Sequence, residues 1–188
     1  MRTFSMMHSA VLAVYARQAL RGALAAGVVI LGASVVGAGN APGLGYGIAA
    51  PLALAMPAEF LRRAAAHLRS VSGSAEYTGP QDLSRTPRRD LVFSDRTMPD
   101  ALRAVRDLAR VDRVRVREKV AGGFVVEGTR GGSWPHGKVI VLLSETADGV
   151  AVRLSGRISW IDGVDGGRSF GLLLALQGLL RDSLSIAE

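Results

Sequence analysis

The chain has 188 residues, a formal charge of +7 and a mean hydropathy of +0.25, leaving room for one ordinary soluble domain beside a strongly apolar segment. It has no cysteine, which excludes disulfides, thiolate metal sites and cysteine nucleophiles. The positive charge is almost wholly arginine, Lys119 and Lys138 being the only lysines, and this fits a bacterial bias toward GC-rich codons better than an adaptation to nucleic acid.

In chain order, Met1–Leu20 is helical by composition and leads into Gly22–Met56, a stretch without a charged residue. Crossing a hydrocarbon core of about 30 Å takes about 20 apolar residues, and this stretch is far longer than one crossing needs. Gly39-Asn40-Ala41-Pro42-Gly43 interrupts it with turn-forming residues. The pattern predicts two apolar helices, Ala19–Ala38 and Leu44 to about Leu61, joined by a tight turn. Arg2, Arg17 and Arg21 precede the run and Arg62, Arg63 and Arg69 follow it, which predicts both termini on the cytoplasmic side. Two other readings compete. Arg17 and Arg21 before an apolar region, with small residues at Val36-Gly37-Ala38, also suit a signal peptide. A buried core hairpin of a soluble protein has the same composition.

The next segment, from Pro57 to Arg69, reads as a further helix opened or kinked at Pro57, with Phe60, Leu61, Ala64, Ala65 and Leu68 on one face. It would lie on the membrane or connect to the domain that follows. Ser70–Arg89 is poor in apolar residues and broken by Gly73, Gly79, Pro80 and Pro87, as linkers are. The expected division is thus an anchor region over 1–69, a linker over 70–89 and an α+β domain over 90–188.

Within that domain, Thr97 or Ser94 is placed to cap a helix from Pro99 whose apolar face is Ala101, Leu102, Val105, Leu108 and Ala109. Arg103, Arg106, Arg110 and Arg113 follow one another along its other side. They form a candidate interaction stripe for anionic lipid or an acidic partner, although Asp100 and Asp107 are spaced to pair with some of them. From Val114 the apolar period changes to two, predicting strands at Val114–Val120, Phe124–Arg130, Lys138–Thr146 and Val150–Ile161, with Gly-containing turns at Gly122-Gly123 and Ala147-Asp148-Gly149. Arg168–Ser183, rich in leucine, is too short to span a bilayer and should cover one face of this sheet. The expected fold is therefore α+β: an N-terminal apolar helical hairpin, then a small helix–four-strand antiparallel meander–helix domain. Its layout is similar to small ligand-cradling domains in which a long helix lies across a curved sheet.

Two loops stand out. Gly131–Gly137 holds Trp134 and His136, a candidate recognition edge. Asp162–Ser169 precedes the last helix and either offers backbone N–H groups to an anion or is capped by Asp165 or Ser169. No pattern of nucleophile, acid–base pair or metal ligands emerges: His8, His67 and His136 are scattered, and no catalytic residue, cofactor or metal is expected. The expected function is binding by a membrane-anchored, non-enzymatic protein, its partners an anionic lipid surface, a membrane protein or a small apolar ligand. The alternative is an exported α+β domain, released from a signal peptide, that binds a ligand or envelope partner. Nucleic acid is disfavoured.

Overall fold

A computed structural model describes residues 2–37, 42–111, 114–128, 137–158 and 164–185. Two long helices, α1 (Arg2–Gly37) and α2 (Pro42–Ser72), precede an α+β unit. That unit contains β1 (Arg88–Ser94), α3 (Met98–Asp107), β2 (Val114–Val120), β3 (Gly123–Gly128), β4 (Gly137–Thr146), β5 (Gly149–Gly156) and α4 (Arg168–Ser185). Short 3₁₀ turns lie at Pro80–Leu83 and Leu108–Arg110.

The sheet is antiparallel throughout, in the order β1-β5-β4-β3-β2. It has five strands where four were expected. The additional strand, β1, pairs along its whole length with β5, from Arg88 opposite Ser155 to Ser94 opposite Gly149. Its start lies inside the expected linker. That stretch is also less open than its composition suggests, because Asp82, Leu83 and Pro87 are buried.

Local chemistry explains the well-formed elements. Thr97 caps α3 in a capping box: its hydroxyl accepts from the Asp100 N–H, and the Asp100 carboxylate accepts from the Thr97 N–H. Gly149 opens β5 at φ 152°, and a Cβ there would lie 2.2 Å from the Phe93 carbonyl oxygen, so the turn between β4 and β5 admits only glycine. Alternation then sends Val139, Val141 and Leu143 of β4 and Val150, Val152 and Leu154 of β5 to one face. There they meet Leu172, Leu173, Leu176 and Leu180 of α4 and Ala101, Ala104, Val105 and Leu108 at and beyond α3. As expected, α4 covers one face of the sheet.

A second apolar cluster joins the two halves of the molecule. Val14 of α1 and Ala64, Leu68 and Val71 of α2 pack with Leu83, Val164 and Phe170. Beside it, buried Asp82 takes a two-pronged ion pair from Arg89, whose Nη2 lies 2.9 Å from Oδ2 and whose Nη1 bonds Oδ1. Thr78 donates its N–H to the same carboxylate at 2.8 Å, and the Arg89 guanidinium sits 5.5 Å over the Phe170 ring. The lower ends of α1 and α2 are thereby built into the α+β unit rather than tethered to it.

Pro57 does not open a helix. It lies inside α2, which continues from Pro42 to Ser72, with Pro51 inside it as well. The neighbouring helix supports this course: a Cβ on Gly22 of α1 would approach Pro57 Cα to 2.7 Å. With Val14 against Ala64 and Leu68, and Gly22 against Pro57, the two helices run antiparallel in close contact.

Candidate functional site

Away from the second cluster, α1 and α2 present apolar side chains outward. Among the described residues one stretch, Ser9–Val35, is long and apolar enough to cross a membrane; its 27 residues rise about 40 Å, and 11% of its apolar window is buried. Leu20, Leu24, Val28, Leu31 and Val35 of α1 and Leu52 and Leu54 of α2 are exposed. Beyond the fully buried Gln18, the residues turned inward are small, Gly22, Ala26 and Ala49. Close backbone packing of this kind suits helices that have no hydrophobic drive to associate. Arg17 and Arg21 fall within the N-terminal half of Ser9–Val35, and Arg62, Arg63 and Arg69 follow the apolar part of α2.

At the same level α2 meets the loop before α4. His67 is buried, and its Nδ1 accepts from the Gly167 N–H at 3.1 Å. Asp165 Oδ1 accepts from the same N–H at 3.0 Å and lies 3.5 Å from Nδ1, while Oδ2 accepts from the Ser169 N–H at 2.8 Å. Burial pushes the Asp165 carboxyl up, but the His67 and Ser169 interactions outweigh it and hold the group at about 2. The N–H groups of Gly167 and Ser169 at the start of α4 are therefore occupied by the chain's own carboxylate, as capping by Asp165 requires.

Outside this cap a cleft of about 440 Å³ opens between α2 and the loop. Glu59, Arg62 and Arg63 line one side, Asp165 and Arg168 the other, with Val164 and Ala66 between. Glu59 gathers the two neighbouring guanidiniums: Arg62 Nε lies 2.6 Å from Oε2, and Arg63 Nε 2.9 Å from Oε1. Arg168 is exposed and forms no ion pair among the described residues.

The stripe along α3 is less available than its spacing suggests. Arg106 reaches Glu118 of β2 at 3.3 Å, and Arg110 pairs with Asp107 at 3.3 Å. Arg103 lines a shallow hollow with Pro99, Leu102, Arg106 and Asp107. Arg113, Trp134 and His136 lie outside the described residues. Among the described residues no three His, Asp or Glu side chains converge as metal ligands. The cleft was not visible as a site in the sequence, because Arg62 and Arg168 stand more than a hundred positions apart. The one local hint was a Glu with two arginines three and four residues on, at the end of an apolar run.

No protein-family model matches the chain, and no curated protein or solved structure matches it significantly.

Proposed function

We infer that the protein is a membrane-anchored binding protein, without enzymatic activity, whose α1–α2 hairpin enters the bilayer and holds a basic α+β domain against the cytoplasmic face. The observation that carries this reading is the outward-facing apolar surface of α1 from Leu24 to Val35, a stretch free of charge that follows Arg17 and Arg21. A helix apolar on nearly all sides is stable when surrounded by lipid or by protein, and among the described residues protein covers little of this one. Beyond Arg21 and before Arg62 the two limbs rise roughly 24 to 30 Å, close to the thickness of a hydrocarbon core. Arginines at the base favour the cytoplasmic side for both ends. Anionic lipid, and a membrane protein seated beside the hairpin, are the partners this arrangement suits.

Burial of Val14 in the second cluster supports retention of α1, since cleavage after it would remove part of the packing that joins the two halves. Carbonate extraction of native membranes with intact-mass measurement tests the reading. Full-length protein in the carbonate-resistant pellet is the expected result. A soluble species beginning near Asn40 or later would overturn it in favour of an exported domain.

A further inference from the structure

We propose that the cleft between α2 and the loop before α4 binds the headgroup phosphate of an anionic phospholipid. The proposal rests on the membrane-anchored reading and adds a defined site to it. Position is the first argument. The cleft lies where α2 changes from a helix buried against the domain, at Ala64, to one that faces outward, at Leu61 and Leu54. In a bilayer that accepts the hairpin, this is the headgroup level, and the cleft opens beside it.

Charge and donor supply are the second argument. Arg62, Arg63 and Arg168 bring three cations to the cleft against the two carboxylates of Glu59 and Asp165. Asp165 is turned to the N–H groups of Gly167 and Ser169, so its charge is largely spent within the cap. Glu59 engages Arg62 through Nε and Nη2 and Arg63 through Nε, which leaves Arg62 Nη1 and both Arg63 Nη groups outside those bonds. A guanidinium presents paired donors that match the oxygens of a phosphate. Arg168, on the opposite wall, supplies a further fork, so one phosphate between the walls would be gripped from two sides. Shape is the third argument: a Cβ on Gly166 would meet nothing within 4 Å, so the backbone leaves the mouth open on that side. A headgroup whose own cation shields its phosphate would be favoured less, because the net positive charge of the cleft repels that cation.

The test uses the full-length protein in neutral detergent, with lipid retention read by native mass spectrometry. Phosphatidylglycerol and phosphatidylcholine with the same acyl chains are compared, and inorganic phosphate is added in a separate arm. Phosphatidylglycerol should be retained in preference. Arg168→Gln, an exposed change, should weaken that retention about fivefold, the usual effect of one basic residue at an anionic surface. Glu59→Gln should strengthen it, because it removes a negative charge and releases two guanidiniums. Equal retention of the two lipids, or no response to either substitution, would overturn the proposal. Inorganic phosphate that binds as well as the lipid and displaces it would reassign the cleft to a soluble phosphate and overturn the lipid assignment. If these results fail while the protein stays carbonate-resistant, the cleft assignment alone falls. If the protein extracts as a soluble species, the anchor reading falls first.

Discussion

Helices α1 and α4 are both rich in aliphatic residues, yet their side chains end in opposite surroundings. Leu172, Leu173, Leu176 and Leu180 of α4 are fully buried, whereas Leu24 and Val35 of α1 are 62% and 77% exposed. The difference lies in what each helix has to pack against. In α4 the leucines recur at spacings of three and four, so they form one face, and the inward valines of β4 and β5 meet it. In α1 apolar residues run around the helix, and the face that does pack is Val14, Gln18, Gly22 and Ala26, small where the neighbour comes closest. One helix is covered by the protein, and the other leaves most of its apolar surface uncovered among the described residues.

The strongest way to break this comparison is at the join between the two regions. Asp82→Ala leaves Arg89 largely buried without its carboxylate and Thr78 without an acceptor. Removing one partner of a buried pair typically costs about 3–5 kcal/mol, and unfolding of the full-length protein in detergent should show a loss of that size. A change below about 1 kcal/mol would mean that the apolar cluster alone holds the hairpin to the domain.

The comparison itself is sharpened by a matched pair of truncations. Leu176→Ala opens a cavity in a closed core and should destabilise the protein by about 2–5 kcal/mol. Leu24→Ala removes a side chain that touches little protein and should change unfolding in detergent by no more than about 0.5 kcal/mol. Comparable losses from both would show that Leu24 is covered by protein, through self-association of the hairpin, rather than by lipid.

Much of the α+β unit was legible because its signals are local. The Thr97 cap, the glycine turns at 122 and 149 and the alternation in β2, β4 and β5 each depend on a few neighbouring residues. Strand β1 was missed for a physical reason. Its inward positions are Arg89, Leu91 and Phe93, the first of them charged, while Val92 faces outward. A buried ion pair at one end and an exposed valine in the middle together mask the period of two. At Pro57 the helix runs on through the proline, with Gly22 of the other helix close against it, a contact that composition does not reveal. For the cleft, its arginines could be seen singly, but their convergence requires the fold, since α2 and the start of α4 are brought together by the second cluster and the His67–Gly167 hydrogen bond. Along the α3 stripe the Asp107–Arg110 pair follows the spacing of the sequence, whereas the Arg106–Glu118 pair joins α3 to β2 and needs the fold to be seen.

A smaller effect than loss of the buried ion pair concerns the loop that seats α2 against α4. Asp165 has its pKa lowered from 3.8 to about 2 in the folded protein, because the His67 and Ser169 interactions outweigh the upward push of burial. A carboxyl with a depressed folded-state value contributes stability that is complete above its unfolded value, near 4, and is lost as pH falls through the folded value. The shift corresponds to about 2 kcal/mol, present at neutral pH and fading between about pH 4 and 2. Other carboxylates titrate in the same window, so the useful quantity is the difference between the native protein and Asp165→Asn. That difference should be about 2 kcal/mol at neutral pH and should shrink toward zero at pH 2, as measured by denaturant unfolding in detergent at each pH. A difference that stayed constant across the window would mean that the negative charge of Asp165 does not hold the cap, and that α2 is seated through the His67–Gly167 hydrogen bond and the apolar contacts of the second cluster.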